Sequence, residues 1–203
     1  MSKKDYLSSQ LITYLGNKRK LVQYIEEEIV TIQQFLGRNL ISFDGFSGSG
    51  VVARMLKYHS DILCVNDMEP YSHIINQCYL SNPSEKKLKE IEGYINELNS
   101  MDFNHEGVIC KNYSPQDTKN IQKDERAFYT RENALTIDTI RRKIDDYPSE
   151  YFPFLIAPLL VRASIHTNTS GVFKGFHKKN GIGHFGGKNE DNTDSRILKK
   201  ITL

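Results

Sequence analysis

Apolar positions recur at helical spacing from 18 to 35, where Leu21, Ile25, Ile29 and Ile32 fall on one face and Gly37 follows as a stop. The period then changes. Leu40-Ile41-Ser42-Phe43 is a short apolar run that predicts a buried strand, and it ends in Asp44-Gly45-Phe46-Ser47-Gly48-Ser49-Gly50. Val51 to Tyr58 reads as a helix, Ile62 to Val65 as a second buried strand, and Asn66-Asp67 closes it. Helix, strand, glycine turn, helix, strand and acid, in that order, predict an α/β chain that opens like a doubly wound nucleotide fold.

Further on, helical patterning dominates. Glu69 to Leu80 is predicted helical, and Asn82-Pro83-Ser84-Glu85 reads as a helix start with Asn82 as the cap and Pro83 in the first turn, the helix running to about Asn99. Ser114-Pro115-Gln116-Asp117 repeats that signal and predicts a short polar helix. Arg131 to Asp146 carries Leu135, Ile137, Ile140 and Ile144, and a last helix is expected over about 151–165, kinked or interrupted at Pro158. Gly107-Val108-Ile109-Cys110 is a possible third strand. Regular patterning stops after Ile165, and the six glycines between Thr167 and Ser195 predict a long loop that orders on binding, or a small hairpin.

Composition narrows the functional classes. With 203 residues, 38% hydrophobic and 26% charged, the chain is polar for a core-forming protein but far from a disordered composition. Its longest nearly apolar run, Tyr151 to Val161, holds two prolines and cannot span a bilayer, and no signal-peptide core follows Met1. A cytosolic protein is expected. Cys64, Cys78 and Cys110 form no C-x-x-C pair and are expected as reduced, buried thiols, and the six histidines lack metal-site spacing, so no metal is expected. Ser47 and Ser49 lack the G-x-S-x-G context of a hydrolase. The net charge of +2 is unevenly spread: from Gly171 onward seven Lys or Arg face three acids, a basic tail on a mildly acidic body. Such a tail suits an anionic partner or a solvated loop equally well.

The glycine turn carries the chemistry. A ligand that sits against backbone needs residues without a Cβ, which Gly45, Gly48 and Gly50 supply, and the helix from Val51 offers unpaired amides. The spacing G-x-x-G-x-G matches neither the dinucleotide fingerprint nor the Walker loop, so phosphate is not the expected ligand. Asp67, 22 residues after Gly45 at the end of the next strand, is placed to accept bonds from two ribose hydroxyls. An adenosine carrying an amino acid fits these features; an ordinary turn capped by Asp67 is the plain alternative.

With these residues in hand, the sequence resembles the amino-methyltransferases of bacterial restriction-modification systems, the group that includes DNA adenine methylase. Tyr14-Leu15-Gly16-Asn17-Lys18 resembles their amino-terminal motif, in which an aromatic, a glycine and a lysine precede a helix and contact S-adenosylmethionine. Phe43-Asp44-Gly45-Phe46-Ser47-Gly48-Ser49-Gly50 is similar to their methionine-binding loop with one extra residue between the glycines. Val65-Asn66-Asp67-Met68-Glu69 resembles the segment whose acid holds the ribose and whose next side chain packs on adenine. The resemblance implies cofactor contacts at Tyr14, Gly16, Lys18, Phe43, Asp44, Gly45, Phe46, Gly48, Gly50, Asp67 and Met68. A weaker block, 165–186, resembles the family's DNA-contacting stretch and implies contacts with double-stranded DNA at Ser170, Phe173, Lys174, His177, Lys178, Lys179 and Asn180. Phe173, Phe176 or Phe185 is suited to fill the gap left by a flipped base, or simply to anchor the loop.

The resemblance also shows a gap. The family's D-P-P-Y loop, which draws hydrogen-bond density from the target amine and stacks on the extruded base, has no counterpart here; Ser81-Asn82-Pro83-Ser84 and Asp146-Tyr147-Pro148-Ser149 come nearest. The likeness therefore extends over about the first two thirds of a family member, and no catalytic residue is assigned. Two parallel strands would also leave apolar edges open. The expected whole is a partial doubly wound, Rossmann-like methyltransferase sheet at 1–80 with a helical and loop DNA-recognition insertion at 81–203. It implies adenine methylation in DNA, with the sheet either completed by a second polypeptide carrying the D-P-P-Y segment or cut short as a truncated product, and with a cognate restriction endonuclease as genetic partner. A methyltransferase acting on RNA or a small molecule, or an inactive cofactor- or DNA-binding remnant, are the rival readings.

Overall fold

The computed structural model describes residues 6–7, 11–12, 18–169, 175–185 and 196–203. The chain divides into two compact units, 1–83 and 84–203. In the first, helix α1 (Val22–Leu36) ends at Gly37, whose left-handed φ of 64° suits a residue without a Cβ. Strand β1 (Leu40–Asp44), helix α2 (Val51–His59), strand β2 (Ser60–Val65) and helix α3 (Pro70–Tyr79) follow. β1 and β2 pair in parallel, with Ile41 opposite Ile62, Ser42 opposite Leu63, Phe43 opposite Cys64 and Asp44 opposite Val65.

Because side chains alternate along a strand, this register sorts the sheet into two faces. Leu63 joins Val22, Ile25 and Ile29 of α1 and Val51, Met55 and Leu56 of α2 in a buried cluster. The opposite face carries Ile41 and Phe43, each 69% exposed, and Ile62 at 54%. Parallel sheets are normally covered on both sides, and here one side is bare. That bareness corrects one expectation: Cys64 is exposed, Cys78 is half-buried, and Cys110 alone of the three thiols is buried.

The second unit is helical: α4 (Glu85–Asn99), α5 (Val108–Tyr113), α6 (Arg131–Ile144), a 3-10 turn (Ser149–Tyr151) and α7 (Phe152–His166), then a hairpin of β3 (Lys178–Lys179) and β4 (Ile182–Gly183). α7 runs through Pro158 without interruption. The final segment is tied down by Asn133, whose side chain bonds Ile197 O, Lys199 O and Ile201 N. No helix among the described residues is long and apolar enough to cross a membrane.

Three local expectations are corrected. The cap of α4 is Ser84, whose hydroxyl accepts the Lys87 amide, so Asn82 and Pro83 lie outside the helix. No helix follows Ser114; its hydroxyl turns back to Cys110 O and ends α5, while Glu125 gathers the Gln116 and Gln122 amides into a turn. The possible third strand at 107–110 is instead the start of α5. The cause lies on α6, where the Asp138 carboxylate accepts the amides of Gly107 (3.0 Å), Ile109 (3.1 Å) and Cys110 (2.8 Å). A Cβ on Gly107 would lie 2.8 Å from the Asp138 side chain, so the approach needs glycine.

Replacing Asp138 by Ala strands three amides at a half-buried helix start. Asp138→Ala is expected to cost about 3 kcal/mol in urea denaturation, the scale of lost bonds to a charged acceptor. An unchanged midpoint would show that α5 forms without it.

Candidate functional site

The turn between β1 and α2 is held at every step. Asn66 N bonds Asp44 O at 2.8 Å, which registers the two strand ends, and Ser47 N bonds Asn66 O at 3.0 Å. Gly50 N closes on Ser47 O at 2.8 Å, and Arg54 N takes Gly50 O to start α2. Gly48 (φ 52°) and Gly50 (φ 71°) adopt left-handed backbone that β-branched residues avoid. Gly45 has ordinary φ, but the Phe43 ring lies 3.3 Å from where its Cβ would be.

Two carboxylates stand at the ends of the strands. Asp67 accepts the Gly48 amide on Oδ2 at 2.7 Å and the Glu69 amide on Oδ1 at 3.0 Å, so it caps the turn and keeps further acceptor capacity on both oxygens. Asp44 receives the Phe46 amide on Oδ1 at 3.4 Å, whereas its Oδ2 is buried with no hydrogen-bond partner. Burial pushes the Asp44 carboxyl above its ordinary range and the nearby Asp67 charge adds to this, against the amides of Phe46 and Ala53, which pull it down. Flanking the acids, Phe46 is 91% and Met68 92% exposed, large apolar side chains with nothing packed on them. The arrangement suits a ligand with a positive group for Asp44, hydroxyls for Asp67 and a flat apolar ring.

A polar cavity of about 480 Å³ also lies in this unit, between Asp61, Leu63 and Val65 of β2 and His73, Asn76 and Gln77 of α3. Ser47 and Asp67 reach it, but Phe43, Gly45, Phe46, Gly48, Gly50 and Met68 do not line it. Lys18 is exposed at the entry to α1, where its carbonyl accepts the Leu21 amide. Tyr14 and Gly16 fall outside the described residues, as do Ser170, Phe173 and Lys174.

In the second unit the hairpin presents the other group of candidates. β3 and β4 pair with Lys179 opposite Ile182, leaving Asn180-Gly181 as a two-residue turn with φ of 53° and 83°. Asn-Gly favours this geometry, a signal in the sequence that fixes the hairpin more sharply than the glycine count does. Lys178, Lys179 and Asn180 are exposed and His177 half-buried. Lys178 Nζ lies 5.0 Å from the centroid of the Phe176 ring, and that ring packs edge-on against Phe128 at 5.1 Å. Phe176 therefore anchors the loop. A residue that the sequence motif does not single out holds the hairpin down: buried Asn168 donates Nδ2 to Ala127 O (2.8 Å) and His184 O (3.0 Å). Among the described residues no cluster of metal-ligating side chains forms.

The model of the D12 class N6 adenine-specific DNA methyltransferases matches residues 14–199. The chain is 29% identical over 174 residues to the type II methyltransferase M.NlaIII of Neisseria lactamica, covering 82% of this chain and 49% of the relative. It is 30% identical over 177 residues to M.CviAII of Paramecium bursaria Chlorella virus 1, covering 83% and 50%. It is 28% identical over 203 residues to the modification methylase LlaI of Lactococcus lactis subsp. lactis, covering 94% and 29%. The chain thus spans about half the length of the first two relatives, less than the two thirds its motifs imply. No solved structure matches it. With a family model aligned over residues 14–199, the chain belongs to the D12 class N6 adenine-specific DNA methyltransferases.

Proposed function

We propose that this chain is the cofactor-binding and DNA-recognising part of a site-specific DNA adenine methyltransferase of a restriction-modification system. The observation that carries the reading is the glycine turn flanked by Asp44 and Asp67 at the ends of two parallel strands, with an Asp44 oxygen buried and unpartnered. S-adenosylmethionine, when bound, supplies an activated methyl group. The ammonium of its amino-acid end answers the Asp44 carboxylate, its ribose hydroxyls answer Asp67, and its adenine answers the bare side chains of Met68 and Phe46. Gly48 lets backbone approach the ligand, Gly50 offers its backbone while Asn76 takes the space of its missing Cβ, and Phe43 shields Gly45. Tyr14, Gly16 and Lys18 contribute from the segment before α1. In this reading residues 1–80 form the cofactor part on a partial Rossmann-like sheet and DNA recognition belongs to 81–203.

Lys178, Lys179 and Lys174, beside His177, hold phosphates of duplex DNA, and Ser170, Phe173 and Asn180 meet base edges or the gap of a flipped adenine. The chain has no D-P-P-Y segment, so none of its residues polarises the target amine. A second polypeptide carrying that segment completes the site. The bare face of Ile41, Phe43 and Ile62 supports this, because a completed sheet would bury it. A cognate restriction endonuclease is the genetic partner.

Calorimetric titration of the purified chain should give an affinity for S-adenosylmethionine that falls at least tenfold in Asp67→Ala, the order expected for lost charge-assisted bonds. Gly48→Val should fall further, since its backbone would be strained at φ 52°. Binding should also weaken as pH drops through the raised titration range of Asp44, because protonation removes the charge that attracts the ligand. Equal affinity in all three comparisons would contradict the site.

Transfer of tritiated methyl groups to unmethylated plasmid should be absent with the chain alone and should appear when a polypeptide bearing the D-P-P-Y segment is added. Assembly should also protect Cys64 from Ellman's reagent, whereas Cys110, whose thiol burial pushes up to about 12, should be unreactive throughout. Family-like transfer by the chain alone would mean that the catalytic groups lie within it.

For DNA, the Lys174→Ala/Lys178→Ala/Lys179→Ala variant in the completed complex should flatten the plot of log affinity against log salt by about 0.9 for each phosphate contact removed. Fluorescence anisotropy over a salt series measures it. An unchanged slope would leave the lysines as a solubilising surface.

A further inference from the structure

The turn is gripped by α3, a helix to which neither the motifs nor the comparisons assign any part. Ser72 and Asn76 stand one helical turn apart on the same face and are 0% and 5% exposed. Ser72 Oγ donates to Gly48 O at 2.6 Å. Asn76 Nδ2 donates to Ser47 Oγ at 2.8 Å and to Ser72 Oγ at 3.3 Å, and Ser47 Oγ in turn bonds Asn66 O at 3.1 Å. A Cβ on Gly50 would lie 2.4 Å from Asn76 Oδ1, and that oxygen has no hydrogen-bond partner. Leaving a buried acceptor unsatisfied is unfavourable, and an apolar residue would fill the space without that penalty. What an apolar residue could not do is fix which way the peptides of 47–50 point.

We propose that Ser72 and Asn76 are positioning residues for the methyl-donor site. Ser72 turns the Gly48 carbonyl inward toward α3, while the Gly48 amide is taken by Asp67. With both ends of that residue fixed, the left-handed conformation at Gly48 is set before any ligand arrives. Asn76 fixes the neighbouring Ser47 and occupies the place a side chain at position 50 would need. The ligand then meets a turn that is already shaped and loses less conformational freedom on binding. This inference rests on the reading that the turn holds S-adenosylmethionine.

The test uses the full chain and S-adenosylmethionine at a temperature where every variant is folded by circular dichroism. Ser72→Ala and Asn76→Ala should each weaken binding by about fivefold or more, the scale of one buried hydrogen bond. Because Asn76 acts through Ser47, the Ser47→Ala/Asn76→Ala double variant should bind no more weakly than the weaker single variant, and the Gly48 and Gly50 amide resonances should move in both. A role confined to stability would shift melting temperatures and leave affinity untouched. Should Asn76→Ala not fold, Ser72→Ala and the milder Asn76→Ser carry the comparison. Wild-type binding with folded variants of equal affinity would overturn the positioning role alone. Absence of binding by the wild-type chain would overturn the cofactor site itself, and this role with it.

Discussion

Asp67 receives two backbone amides, one from the glycine turn after β1 and one from the approach to α3. Through that single carboxylate the ends of both strands and the start of the next helix share one anchor. The strand register, with Asn66 N on Asp44 O, brings Asp67 within reach of Gly48. Glycine at 48 allows the backbone to turn there, and Ser72 then takes the carbonyl the turn exposes. Each interaction presupposes the one before it. The acid that the sequence motif marks for a ribose is thus also a structural cap: bonds to amides leave a carboxylate with acceptor sites to spare, so the two roles are compatible.

The unit's electrostatics point the same way. A carboxylate raised by burial, with the Asp67 charge beside it, is unfavourable in isolation, and the Asp44 oxygen buried without a hydrogen bond makes it more so. A cationic ligand relieves both. Such a pair, beside two large apolar side chains left in water, is compatible with the ligand proposed for the turn. The opposite face of the sheet likewise leaves Ile41, Phe43 and Ile62 exposed, where a parallel sheet is normally covered.

Much of this is legible in the sequence. β1, β2 and the glycines between them announce themselves because apolar runs bounded by glycine and acid admit few other readings, helices 22–36 and 131–144 follow from their apolar positions, and 85–99 from the start signal before it. What is not legible is decided at a distance. Val108-Ile109-Cys110 is apolar enough for strand or helix, and Asp138, some thirty positions later, settles it by collecting three amides. Ser84 and Asn82 offer equal capping chemistry, and only the packed helix distinguishes them. Cys64 reads as buried because a central strand usually is; its exposure reflects the uncovered face. Asn76 and Ser72 look like polar positions on an amphipathic helix, and their inward role appears only when α3 is set against the turn.

The central claim, that the turn between β1 and α2 is where the methyl donor sits, is tested most directly by heteronuclear NMR of the labelled full chain during addition of S-adenosylmethionine. Amide shifts should concentrate at 44–50 and 66–69 and saturate with one ligand per chain. Shifts confined to residues beyond 84, or a spectrum unchanged at millimolar ligand, would contradict it.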